Sequence, residues 1–309
     1  MIKYRPLNLS RVKTISIANR KSKVRLNDFA SVHKTDSFSD FIDSLPNILA
    51  GRDFKEVVDA ILKAKRKEKP IVWALGAHVI KCGLNPIIIN LMKKGFVSCV
   101  ALNGGGCIHD VEIALNGKTS EYVENSLKYG SFGMAHETAE FINNALRKNL
   151  GFGEAVGKKL LKVMAPYNSY SILASAAELE IPVTVHVAIG TDIIHMHPNM
   201  DGSLTGKVSY TDFKIFSSVV SNLEGGVFLN IGSAVILPEI FLKAVNVVRN
   251  LGHEVRNFTT VNFDFQLQYR AMENVVKRPT ANSGKGYYIV GHHEIMIPLL
   301  AGILLEKSK

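Results

Sequence analysis

Residues 70–76 read Pro70-Ile71-Val72-Trp73-Ala74-Leu75-Gly76, an uninterrupted apolar run held between a proline and a glycine. A run this short, apolar on every residue rather than on alternate ones, predicts a strand buried on both faces, as in a parallel sheet. Upstream, residues 38–49 predict a short amphipathic helix stopped near Gly51. Asp53 then suits the N-cap of a helix running to about Lys67, whose basic end complements the helix dipole.

The unit repeats downstream. Residues 86–94 predict a helix capped by Gly95, and residues 97–102 a strand ending in Asn103-Gly104-Gly105-Gly106. Residues 160–179 predict a helix, then 182–189 a strand ending at Gly190. Residues 213–223 lead into a strand at 227–231 with Gly232 after it, and 238–251 into a strand at 257–263. A last strand at 286–290, followed by Gly291, leads into a helix over 293–307. Gly151-Phe152-Gly153-Glu154-Ala155-Val156-Gly157 has no strand before it and is taken as a helix-entry loop. Strands alternating with helices predict an α/β fold: a Rossmann-like parallel sheet with helices on both faces, in a single large domain over residues 38–309.

Composition agrees. The chain has 309 residues, 47% hydrophobic and 21% charged, enough to bury a sizeable core and too apolar for a mainly disordered chain. No apolar run approaches the roughly 20 residues of a membrane span, and the N-terminus lacks the apolar block of a signal peptide. Cys82, Cys99 and Cys107 are too few for a disulfide framework, so a cytoplasmic location is expected. The formal net charge is +10, and Lys3, Arg5, Arg11, Lys13, Arg20, Lys21, Lys23 and Arg25 precede the first acid, Asp28. Residues 1–37 are therefore a basic arm, a solvated extension or a hold for an acidic partner. No nucleic-acid-binding motif is present, so no nucleic-acid or membrane partner is expected.

In open parallel sheets ligands bind at the carboxyl ends of the strands, so the loops there are the candidate site. They carry Gly76, His78 and Lys81; Asn103, Gly104, Gly105, Gly106 and His109; Thr191, Asp192, His195 and His197; Asp264; and His292, His293 and Glu294. With His186 on its strand, seven of the ten histidines fall here, which suits acid–base work, since imidazole titrates near neutral pH. The glycine triplet permits close backbone approach to a phosphate at a helix N-terminus, although His109 breaks the G-x-G-x-x-G spacing. Asp192, His195, His197 and His186 offer donors of the type that hold zinc or manganese. Asp110 and Glu112 are a conceivable carboxylate pair.

At these loops the sequence resembles the deoxyhypusine synthase family, over roughly residues 71–301. Ile71-Val72-Trp73-Ala74-Leu75-Gly76-Ala77-His78-Val79-Ile80-Lys81-Cys82-Gly83-Leu84 is similar to the family's strand and NAD-contacting loop. Asn103-Gly104-Gly105-Gly106-Cys107-Ile108-His109-Asp110 is similar to its Gly-Gly-Val-Glu-Glu-Asp segment. Ile181-Pro182-Val183, Val245-Asn246-Val247-Val248-Arg249-Asn250 and Ile297-Pro298-Leu299-Leu300 follow in the family's order. The resemblance implies an NAD-dependent transferase. It would oxidise a polyamine such as spermidine, pass the aminobutyl group to an enzyme lysine, and deliver it to an amine or a protein lysine, in a homotetramer.

The chain departs from the family at the chemistry. No Trp-Gly-Lys segment is present, which leaves Lys285 and Lys277 as candidate nucleophiles, with His109 and His293 as further catalytic candidates. The cofactor assignment falls on Gly76, His78, Lys81, Asn103, Gly104, Gly105, Gly106, Thr191, Asp192 and His292. Asp264, Glu294 and His195 are assigned to substrate. His109, Gln266 and Gln268 stand where polyamine-binding acids are expected, and this favours an anionic or neutral substrate. Two other functions remain open: a metal- or His-assisted C–N hydrolase of amidinohydrolase type, and a binding protein without turnover.

Overall fold

In a computed structural model of the chain, described over residues 4–32, 37–146 and 149–308, the basic arm carries only two short 3-10 turns, Ile17–Asn19 and Leu26–Asp28. Lys3 of that arm lies outside the described residues. Helix α1 (Phe38–Ser44) is closed by Leu45-Pro46, and α2 (Leu49–Arg66) begins before Gly51. The expected break near Gly51 and the N-cap at Asp53 are therefore displaced. Pro46 ends the first helix, and Gly51 lies inside the second because a side chain there would strike the Pro46 carbonyl.

Strand β1 (Ile71–Leu75) leads through α3 (Ala77–Lys81) and α4 (Asn85–Lys93) to β2 (Cys99–Asn103). Helices α5 (Gly104–Asn116), α6 (Val123–Leu127), α7 (His136–Ala145), α8 (Phe152–Lys162) and α9 (Ile172–Glu178) precede β3 (Val183–His186). Then come α10 (Gly202–Val220), β4 (Val227–Ile231), α11 (Ile236–Asn250), β5 (Thr259–Asp264), α12 (Tyr269–Ala271) with a π-helical turn over Met272–Lys277, β6 (Lys285–Val290) and α13 (His293–Lys307). The single helix expected over 160–179 is two. Pro166 and the left-handed Met164 (φ 51°) interrupt it, and the Ser171 hydroxyl accepts from the Ala174 N–H to restart it. Gly151 is the N-cap of α8, as a helix-entry loop requires.

Among the described residues the six strands form one all-parallel sheet in the order β3-β2-β1-β4-β5-β6. Successive strand residues alternate between two apolar layers. Ile71, Trp73 and Leu75 face the layer of α2, α4, α5, α8, α9 and α13, while Val72 and Ala74 face that of α11, the end of α10 and the π turn. Trp73 is fully buried, and its ring N–H donates to the Phe96 carbonyl at 3.0 Å. The α/β class read from the sequence is the fold observed. Strand order reverses between β1 and β4, the point where sheets of this kind form their ligand crevice, although here the loops after the two strands meet at Gly76 and Gly232.

Among the described residues no helix is long and apolar enough to cross a membrane.

Candidate active site

Two groups of side chains gather at the carboxyl ends of the strands, one on each side of the crevice. On the β4–β6 side, His78 from α3 and His293 at the start of α13 meet edge to face, ring centroids 5.8 Å apart, with Phe265 at 5.9 Å and 6.5 Å from them. The β1 and β4 loops touch backbone to backbone at Gly76 and Gly232. A side chain on Gly76 would lie 2.0 Å from the Gly232 carbonyl oxygen, and one on Gly232 would lie 2.7 Å from His293 Nε2. His293 is 1% exposed, and neither ring nitrogen has a hydrogen-bond partner. Burial holds its pKa below the ordinary value, against the opposing pull of buried Asp264 at the end of β5. His293 is therefore a neutral imidazole with unused polar atoms, an arrangement that costs stability unless something else binds there.

On the β1–β3 side lies an open cavity of about 810 Å³ between α3, α5, α7 and the loop after β3. Its wall carries His109, Lys81, Gly105, Thr191 and Asp192, together with Glu112, Lys118, Thr119, Glu121 and Glu137. Here the sequence expectation is corrected. His109, Gln266 and Gln268 do remove acids from the positions where the resemblance places them, but Glu112, Glu121, Glu137 and Asp192 bring four carboxylates against two lysines. The wall suits a cationic ligand rather than an anionic one. Nothing in the sequence marked Glu121, Glu137 or Thr119, because the segment between Gly117 and Leu150 carries no motif; the packing of α7 against α5 brings it to the site.

The glycine triplet also has a different use from the one expected. Asn103 caps α5 through its side chain, accepting from the Gly106 N–H at 2.9 Å, and the Asp192 carboxylate rests on Gly104, where a Cβ would fall 2.0 Å from Oδ2. Burial pushes Asp192 up to about 6. The Asp192 carboxylate covers Gly104 and the Asn103 side chain takes the Gly106 N–H, so these groups of the first turn of α5 are not open to a phosphate. At these strand ends the exposed side chains of His78, Lys81 and His292 are the groups that would meet NAD, next to the unpartnered nitrogens of buried His293, while Gly76 is buried against the Gly232 carbonyl.

Both candidate nucleophiles fall elsewhere. Lys285 is the first residue of β6, paired in register with Thr259, at the amino end of the sheet and about 17 Å along the strand from its site end. It binds Glu56 at 2.9 Å and lines a separate cavity of about 530 Å³. Lys277 is exposed and paired with Glu273 at 2.7 Å. An edge strand delivers only its carboxyl-terminal residues to the site, so Lys285 does not stand beside His78, His109 or His293, while Lys277 ends the π-helical turn ahead of that strand.

The histidines proposed for a metal also separate. His195 Nδ1 accepts from the N–H groups of Gly190 and Asp192, His197 Nε2–H donates to the Gly133 carbonyl, and buried His186 pairs with Thr184 and packs on Phe216. Among the described residues no three His, Cys, Asp or Glu side chains converge as a metal site. Asp110 and Glu112 do not act as a pair. Asp110 is buried and accepts from Ile172 N–H, Leu173 N–H and Ser171 Oγ at the start of α9, while Glu112 faces the cavity. Glu294, exposed, accepts from the Cys82 thiol at 3.7 Å; burial and that carboxylate push the thiol up, away from a reactive thiolate.

No protein-family model matches the sequence, and no curated protein is detectably similar to it. Solved structures are similar in fold. A candidate LOR/SDH protein from Methanococcus maripaludis S2 has a TM-score of 0.52 at 15% identity, covering 91% of this chain and 74% of that one. AgrE in complex with ornithine and NAD+ has a TM-score of 0.53 at 14% identity, covering 84% of this chain and 34% of that one, so this chain spans about a third of AgrE. A candidate deoxyhypusine synthase from Entamoeba histolytica has a TM-score of 0.52 at 13% identity, covering 91% of this chain and 97% of that one. The fold is therefore related to that of deoxyhypusine synthase-like and LOR/SDH-like proteins.

Proposed function

We propose that the protein is an NAD-dependent enzyme of amine chemistry, a deoxyhypusine-synthase-like transferase that moves an aminobutyl-type group from a polyamine or related amine to an acceptor amine. The observation that carries this reading is the juxtaposition at the strand ends: a pair of imidazoles, His78 and His293, at the point of strand reversal, beside a cavity walled by Glu112, Glu121, Glu137 and Asp192. The NAD+ bound with ornithine in AgrE, a protein of related fold, supports the choice of cofactor.

Bound NAD would supply a hydride acceptor for the carbon beside the amine nitrogen. The chain's own residues do the rest. The carboxylates of Glu121, Glu137 and Asp192 hold the ammonium groups of the substrate, and the imidazoles of His78 and His293 stand together at the strand ends with Phe265 against them. Lys285 lies at the far end of its strand and Lys277 is exposed and paired with Glu273, so the acceptor in this reading is an amine brought to the cavity, either a second small molecule or a protein lysine. A homotetramer in the cytoplasm belongs to the same proposal. The hydrolase alternative has no comparable support, because its histidines are spent on separate structural contacts.

Calorimetric titration with NAD+, followed by incubation with spermidine and with ornithine while NADH absorbance is read, tests the reading. Saturable NAD+ binding and amine-dependent NADH or transfer product are expected, both weakened by His78→Ala. Absence of NAD+ binding at millimolar concentration overturns it, and binding without turnover of either amine leaves a binding protein instead.

A further inference from the structure

His109 and Glu112 stand three residues apart on the cavity-facing side of α5, within reach of each other as i, i+3 neighbours. Between them comes Thr119 from the following loop. His109 Nδ1 is 2.6 Å from the Thr119 hydroxyl, and that hydroxyl donates to Glu112 Oε2. The other carboxylate oxygen, Oε1, accepts from the Thr138 hydroxyl of α7 at 3.2 Å. Burial works to raise the Glu112 carboxyl, but nearby His109 and the hydrogen bonds from Thr119 and Thr138 outweigh it and hold the group below the ordinary carboxylate value.

A threonine hydroxyl has one proton. Thr119 gives it to Glu112, so it can only accept from His109, and Nδ1 must carry the hydrogen. In the neutral ring the lone pair is then on Nε2, which has no partner among the described residues although the ring lines the cavity. We infer that Thr119 and Glu112 are positioning residues that fix His109 as the Nδ1–H tautomer and leave Nε2 as the proton acceptor for an ammonium group in the cavity. This rests on the amine chemistry proposed above for the identity of the donor.

The step balances simply. One N–H bond of the substrate ammonium breaks and an N–H bond forms at Nε2. The substrate nitrogen regains its lone pair, and no electrons are exchanged. A neutral amine is what hydride departure from the adjacent carbon requires. The imidazolium that forms is stabilised by Glu112, whose Oε2 is 3.7 Å from Nδ1. The charged groups facing this wall are Glu112, Lys118 and Glu121 near His109 in sequence, Glu137 from α7, Lys81 from α3 and Asp192 from the loop after β3.

Ring-nitrogen NMR of the full-length protein without ligand tests the tautomer directly, with the His109 signals assigned by their loss in His109→Asn. Nδ1–H is expected in the wild type and in Thr119→Ser, and a mixture of tautomers in Thr119→Val. Nε2–H in the wild type overturns the inference, as does a Thr119→Val spectrum identical to the wild type; the wild-type measurement needs no variant to fold. If turnover is found, kcat/KM of Glu112→Gln should fall at least tenfold with KM little changed. The predicted tautomer in a protein that binds no NAD+ would leave this relay standing while removing the amine-oxidising function.

Discussion

The carboxylate of Asp192 lies on the α-carbon of Gly104, with Oδ2 only 2.0 Å from where a methyl group would project. A half-buried acid of the β3 loop is thus seated on the first turn of α5, where backbone N–H groups favour negative charge. Gly104→Ala should expel it. The expected loss is about 1–3 kcal/mol by urea denaturation, and the double variant Gly104→Ala/Asp192→Ala should recover part of that loss, since the clash is removed with the carboxylate. Strict additivity of the two single changes would refute the contact.

His293 offers the opposite trade. Its two unpartnered, buried ring nitrogens cost stability, so an apolar residue of similar size should be tolerated or preferred by the fold. His293→Leu is expected to raise the thermal midpoint and to weaken NAD+ binding at least tenfold. A variant that is less stable yet binds NAD+ normally would show the imidazole to be structural.

Asp212 predicts a pH signature. Its Oδ2 accepts from the N–H groups of Gly153 and Val185 at 2.9 Å and 2.7 Å, Oδ1 has no partner, and burial pushes the group up to about 7 from an ordinary 3.8. The native state therefore keeps a proton that the unfolded chain has lost between those two values. The stability this contributes is fully present below pH 3.8 and is lost as pH rises towards 7. Asp212→Asn removes the titration, so its stability relative to the wild type should improve by a few kcal/mol between pH 4 and pH 8. A difference that stays flat with pH would sink this assignment. Asp110, pushed up to about 6 by burial, moves in the same direction, so the comparison between variant and wild type is the informative one.

Lys285 and Lys277 should be dispensable. Each is exposed and ion-paired away from the crevice, so alanine at either position is expected to cost less than about 1 kcal/mol and to leave NAD+ binding unchanged. Borohydride reduction in the presence of spermidine, followed by peptide mapping, should find no adduct on either lysine. An adduct on Lys285 would mean that the amino end of the sheet, not its carboxyl end, is where the chemistry occurs.

The strands could be read directly because a strand covered on both faces must be apolar on every residue, and runs such as Ile71–Leu75 and Val227–Ile231 announce that in one dimension. Helix ends were read less well. Pro46 and Pro166 decide where α1 and α8 stop, through a missing N–H and a fixed φ, and these local constraints outweighed the longer apolar pattern across them.

From the sequence alone came the parallel α/β sheet, the strand ends as the place for ligands, and the histidines and glycines gathered there, because short-range periodicity and turn chemistry depend only on neighbouring residues. Only the tertiary structure decided which of those groups meet. His78 joins His293 while His109 joins Glu112 through Thr119. Asp192 takes the helix N-terminus that looked free for a phosphate, Lys285 starts its strand at the far end, and three glutamates from α5, a loop and α7 make the cavity acidic. The physical reason is that a side chain's charge, burial and partners are set by elements far away in the chain, and strand order, which brings β4 beside β1, is written in no single segment.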